Sequence, residues 1–173
     1  IDTGTAALAR WVARGSVGAT LDDDVIRLLH DGPGPLDAAS WARKLRALTT
    51  TKYENQPDMA VIAELAIARL HAETDDIDGC IDAMERATSF IHRSRVAPEL
   101  AFEAFERRLR LEVLLNERTA ARSTLDQIEV LAPDLHSPLY DARTYLARGD
   151  FLNPLDPALA RMEYQSAERM FSV

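Results

Sequence analysis

The sequence predicts an all-α protein, and three observations carry that expectation. Apolar residues recur at three- and four-residue spacing along most of the chain, while strand formers never alternate cleanly with polar residues. Ala, Leu, Arg and Glu are abundant in a chain of 173 residues that holds only 7 Gly, and these residues lose least on entering a helix. Aromatic residues make up only 6%, so the core must come from Leu, Ile, Val and Ala packed helix against helix.

Bulk properties narrow the function. The length suits one domain or one elongated array of helices, and 47% apolar with 28% charged residues is the composition of a folded, soluble chain. A net charge of −8 and a pI near 5.0 repel nucleic acid, so direct DNA or RNA binding by this domain is not expected. The single Cys80 excludes an internal disulfide and a Cys-cluster metal site, and reads as a small buried residue. No apolar run approaches the ~20 residues needed to cross a bilayer, so a cytoplasmic protein without membrane contact is expected. The chain carries no signal peptide and starts at Ile1 rather than Met, which points to a processed protein or a domain cut from a larger one.

In chain order, Thr5 to Arg14 places Leu8, Trp11 and Val12 on one helical face and ends at Gly15. Asp22, Asp23 and Asp24 open a second helix, where acids favour the positive N-terminal end, with Val25, Ile26, Leu28 and Leu29 as its stripe. Asp31-Gly-Pro-Gly-Pro35 cannot continue a helix. A third helix is expected from about Leu36 to Leu48, then a polar loop from Thr49 to Pro57. Residues 1–57 therefore read as irregular N-terminal helices.

From Asp58 to Val173 the chain reads as three helical pairs. The first runs from Asp58 to Glu73 and from Asp78 to Ile91, the second from Pro98 to Leu115 and from Arg118 to Leu131. The third runs from Pro138 to Arg148 and from Pro157 to Phe171. In each second helix a small residue (Cys80, Ala121, Ala160) is followed four residues later by a large one (Met84, Leu125, Tyr164). Three further on stands Ala87, Ile128 or Ala167. Spacings of +4 and +3 stack these on one face, where the small residue lets a neighbouring helix approach. The turns before them are read at Asp75-Asp76, Asn116-Glu117 and Gly149-Asp150, with Phe151 to Pro157 as an insertion.

This small–large–small pattern behind an Asp- or Asn-containing turn resembles the tetratricopeptide repeat (TPR) over Asp58 to Val173. Pro133 stands where that repeat places its terminal proline, and Ala68, Ala142 and Tyr145 suit its small and aromatic first-helix positions. From Cys80 to Ala121 is 41 residues and from Ala121 to Ala160 is 39, longer than the usual period of about 34. Such long repeats are similar to those in the sensor domains of MalT-like bacterial regulators. The resemblance implies a single right-handed α-solenoid that binds a protein or peptide in a concave groove, with no cofactor and no chemistry of its own. The alternative it leaves open is a small-molecule-sensing effector domain of a bacterial transcriptional regulator.

Taking Val61, Phe102 and Leu135 as equivalent starts, the ninth first-helix position is Arg69, Arg110 and Arg143. Three arginines at one repeat position would form a cationic ladder whose forks suit carboxylate or phosphate. Leu65, Glu73, Glu106, Val113, Leu139 and Leu146 would line the groove beside them. The competing expectation is that the arginines pair with Glu64, Glu73, Glu106 or Glu112. The Lys and Asn of the carboxylate-clamp repeats are absent from the matching positions.

Thr74 to Glu85 also carries residues at several positions of an EF-hand loop, but Thr replaces its first carboxylate and Ile77 is apolar. The repeat accounts for the segment and recurs; the calcium loop does not. His30, His71, His92 and His136 are scattered, with no HExxH, phosphate loop or nucleophile elbow, so catalysis and a bound metal are not expected. His71 reads as a core histidine. Met162, Ala167, Met170 and Phe171 leave the last helix without a polar cap, a face suited to a homodimer or to a following repeat.

Overall fold

The computed structural model describes residues 38–51, 55–73 and 75–171, and among them the regular structure is entirely helical. The expected helices at Thr5–Arg14 and around Val25, and the breaker at Asp31–Pro35, lie outside the described residues. The chain divides into two compact units, Ile1–Leu100 and Ala101–Val173.

In the first unit, α1 (Ala38–Thr51) and α3 (Ile77–Arg93) both pack against α2 (Pro57–Glu73). Its run Met59-Ala-Val-Ile-Ala-Glu-Leu-Ala-Ile-Ala68 is buried on every side, as expected of a helix apolar nearly all round. Arg69, the residue that follows the run, is exposed. By contrast α3 buries one stripe, Cys80, Ala83, Met84, Ala87 and Thr88, and leaves Glu85 and Arg86 in solvent. Asp58 in the first turn of α2 accepts the backbone N–H of Ala97 at 2.9 Å, which ties the start of that helix to the loop after α3.

Helix α4 (Pro98–Leu114) runs into the second unit, followed by α5 (Arg118–Leu131), a 3₁₀ turn (Ala132–Leu135), α6 (Pro138–Leu152) and α7 (Pro157–Phe171). The α6 and α7 helices pair along their lengths, and Phe102 of α4 meets Tyr140 of α6 edge to face with ring centroids 5.0 Å apart. The core here is Phe102, Phe105, Leu109, Leu125 and Ile128 with the small residues Ala121, Ala142, Ala147, Ala160 and Ala167.

Two hairpin turns share one construction. Before α3, Asp75 (φ 56°) takes the left-handed conformation, Asp76 N–H donates to His71 C=O at 2.9 Å, and Asp75 N–H donates to Ala72 C=O at 3.4 Å. Before α5, Asn116 (φ 60°) does the same, with Glu117 N–H on Glu112 C=O at 2.8 Å and Asn116 N–H on Val113 C=O at 3.0 Å. This is the Schellman closure, with the left-handed site filled by Asp and Asn, which tolerate it better than other side chains do.

The third turn departs from the sequence reading. Gly149 and Asp150 do not form it: α6 continues through them to Leu152, and the chain reverses at 153–156. Asp156 then caps α7, accepting from Ala158 N–H at 3.0 Å and Leu159 N–H at 3.1 Å. Gly149 serves packing instead. A Cβ there would sit 2.3 Å from Cε1 of Tyr164, so the glycine lets the α7 ring lie flat on the α6 backbone. Phe151 and Leu152 are likewise helical rather than inserted loop.

The second-helix register holds in all three pairs. Cys80, Ala121 and Ala160 donate their backbone N–H to the carbonyls of Asp76, Glu117 and Asp156 at 3.1, 2.9 and 3.0 Å. Each is therefore the fourth residue after the cap, and each is buried. Met84, Leu125, Ala87, Ile128 and Ala167 are buried behind them, while Tyr164 is half-buried.

Candidate functional site

The first helices begin at Pro57, Pro98 and Pro138. Proline at the first helical position loses no hydrogen bond and starts the helix with its φ already set. Counted from these starts, Arg69 and Arg110 occupy the same position, twelve residues on, and the third helix has Asp150 there. Arg143 stands seven residues, or two turns, earlier. The equivalence with Leu135 fails because Leu135 belongs to the 3₁₀ turn before α6. Three arginines at one repeat position are thus reduced to two.

The second unit brings Arg110 and Arg143 together around one carboxylate. Glu106 is buried, and Arg143 Nη2 donates to its Oε2 at 2.7 Å. The Arg143 guanidinium carbon also lies 5.1 Å from the Phe102 ring centroid and 5.4 Å from that of Tyr140. Burial works against the Arg143 charge, but hydrogen bonding and the charges of Glu106 and Glu103 outweigh it, so its proton is held above the ordinary guanidinium range. Arg143 is built into the helix–helix contact. Arg110 remains more than half exposed, 3.6 Å from Glu106 and 3.5 Å from Asp150. Asp150 in turn accepts the Tyr164 hydroxyl at 3.0 Å. Burial and that hydrogen bond to an acid push the Tyr164 phenol up to about 12.

The expected lining residues scatter. Leu65 is 1% exposed and belongs to the core of the first unit, and Glu106 is enclosed by its arginine, so neither offers an open surface. Leu139 is exposed, Leu146 and Val113 are half-buried, and the side chain of Glu73 lies outside the described residues.

A second polar cluster, in the first unit, was not legible as a site. Glu64 is buried at the centre of α2, and Arg46 of α1 approaches it at 3.5 Å while donating to Asp82 of α3 at 2.6 Å. Burial pushes the Glu64 carboxyl above its usual value despite the attraction of Arg46 and Arg86. Where the EF-hand reading would need a coiled calcium loop, residues 77–85 are helical. There Asp76 spends both oxygens, accepting Gly79 N–H at 2.9 Å and meeting His71 Nδ1 at 2.8 Å. Burial, with Asp76 nearby, pushes the Cys80 thiol up, which makes it a poor nucleophile. Among the described residues no group of His, Cys, Asp and Glu is arranged to hold a metal ion, and no helix is long and apolar enough to cross a membrane.

A third feature is a small pocket where the α4–α5 turn meets the end of α6. It is lined by Glu112, Asn116 and Arg118 with Val113, Phe151 and Leu155 among its apolar walls, and its interior, about 10 Å³, has room for one water molecule. Among the described residues the buried Oε2 of Glu112 has no hydrogen-bond partner, while its Oε1 accepts from Arg108 at 2.7 Å.

Comparison of the chain with protein-family models, with curated proteins and with solved structures found no match to any.

Proposed function

We propose that this chain is a right-handed α-solenoid of TPR-like hairpins that binds an acidic segment of a partner protein. The observation that carries the reading is the recurrence of one helical register. Three second helices each bury a small residue at the fourth place after the cap, and two of the three are entered through the same left-handed turn. Hairpins of this kind bury their apolar stripes only by stacking, and stacked first helices form an extended recognition surface. Arg69 in the first unit and Arg110 in the second hold the same place in their helices and are both exposed, and this reading assigns them the cationic contacts. Arg forks fit carboxylates bidentately, and this overall acidic chain would select segments that approach those arginines and not its own acids.

The test is selection from a random peptide library on the folded chain, wild type beside an Arg69→Ala/Arg110→Ala double variant. Arg143 stays in place because its removal would uncover Glu106. Enriched acidic peptides, bound at least about tenfold more weakly by the variant at unchanged helical circular dichroism, support the reading. Equal binding by the two proteins sinks it.

A further inference from the structure

The three arginines of α4 are held in different ways. Arg107 and Arg108 each donate to a glutamate of their own helix, at 2.8 and 2.7 Å. Arg110 lies 3.6 Å from Glu106 and 3.5 Å from Asp150, beyond the roughly 2.7–3.2 Å of an N–H···O bond. Charge holds it there, with its donors turned to acids it does not grip.

The two acids differ. Glu106 accepts from both Nε and Nη2 of Arg143, at 3.4 and 2.7 Å, so its charge is already matched by a guanidinium fork. In Asp150 one oxygen accepts the Tyr164 hydroxyl at 3.0 Å, a neutral donor that fixes the carboxylate without cancelling its charge. The other oxygen faces Arg110 Nε. Together the two acids sit at Nε and Nη2 of Arg110, the donors with which a guanidinium takes a carboxylate side-on. A carboxylate arriving from solvent meets a fork whose Nε arm is turned to Asp150.

The helical register points to the same residue. Asp150 stands twelve residues after Pro138, the place that Arg69 and Arg110 hold after Pro57 and Pro98. Where a third arginine would continue the pattern, the chain carries a carboxylate and sets it against the second arginine.

We infer that Asp150 is a built-in competitor at Arg110, holding the guanidinium in place of a partner's carboxylate until an acidic segment displaces it. This rests on the reading of Arg110 as a contact for such a segment. A lone carboxylate exchanges one exposed ion pair for another and gains little. The site therefore favours segments that bring further acids or flanking contacts.

The experiment is an NMR titration of the full chain with acetylated triglutamate amide, followed on backbone amides and on the Arg110 Nε–H signal, at about 0.15 M salt. Asp150→Asn keeps the shape and the acceptor for Tyr164, and is expected to tighten binding about two- to fivefold, the usual contribution of one exposed ion pair. Asp141→Asn changes the net charge equally from the exposed start of α6, roughly 13.5 Å along the helix. It is expected to leave affinity within about 1.5-fold, because exposed charges beyond roughly 8 Å are screened at this salt. Asp150→Ser serves if the asparagine variant does not fold. Tightening in the Asp150 variant alone supports the inference, and equal tightening in both variants overturns it as a general charge effect. Unchanged or weaker binding in Asp150→Asn, while Arg110→Ala loses the peptide, overturns the inference and leaves the peptide reading standing. If neither wild type nor Asp150→Asn responds to the peptide, both fall.

Discussion

Gly79 stands in the first turn of α3, where alanine ordinarily improves a helix by ~0.5–1 kcal/mol. Here a Cβ would meet Nδ1 of His71 at 2.3 Å and Oδ2 of Asp76 at 2.7 Å. His71 is buried against that glycine and cannot swing outward without leaving the core. Gly79→Ala is therefore expected to destabilise by about 1–3 kcal/mol, overpacking outweighing propensity. Urea unfolding measures it, and a stabilised variant would show that the histidine moves at little cost. Gly149→Ala should fail for the same reason against the ring of Tyr164. The two glycines explain an asymmetry in what the sequence disclosed. His71 reads correctly as a core histidine because its place on an apolar helix is local information. Gly149 reads as a turn because glycine before aspartate is a turn signal, and only the ring arriving from α7 gives it another reason to be there.

At the scale of the helix, the repeated small residue was legible and the first-helix arginines were only half so. Spacing of +4 and +3 within one helix fixes a face whatever surrounds it, so Cys80, Ala121 and Ala160 were placed together correctly. Carrying a register from one helix to another needs the starting residue of each, and the 3₁₀ turn at Ala132–Leu135 displaced the third start. Asp150, not Arg143, answers to Arg69 and Arg110, and it lies beside Arg110 instead of extending a ladder. The small residues are required by close helix approach, so enlarging them should cost stability wherever the register recurs. Ala121→Met and Ala160→Met, each at a site 1% exposed, are expected to lose about 1–3 kcal/mol. Ser123→Met, on the exposed face of α5, should stay within about 0.5 kcal/mol. Thermal unfolding of the three variants decides it. Comparable losses at all three sites would mean the effect is not one of packing.

Across the whole molecule, buried carboxylates give stability an unusual dependence on pH. In the first unit burial pushes Glu64 above its ordinary 4.5 against the pull of Arg46 and Arg86. In the second unit burial likewise pushes Glu103 above 4.5 against Arg107 and Arg143. None of this was visible in the sequence, where a glutamate inside an apolar helix looks like any other and its depth depends on what packs over it. A raised folded pKa means the native state holds the proton longer than the unfolded chain does. Stability from these groups is therefore full below 4.5 and is lost as pH rises through their folded values. Asp76 is opposite: the hydrogen bond from Gly79 N–H, with His71 beside it, holds its carboxyl below the ordinary 3.8. Its contribution is present above 3.8 and disappears as pH falls further, so the two windows do not overlap. Urea unfolding across this range should thus show stability falling from about 4.5 toward neutrality. Glu64→Gln and Glu103→Gln, as fixed mimics of the protonated forms, should each flatten that fall and leave the acid limb unchanged. Asp76→Asn should do the reverse, removing the acid limb and keeping the fall above it. A Glu64→Gln protein whose stability declines as steeply as wild type would show that the attraction of Arg46 cancels the penalty of burying the ionised Glu64.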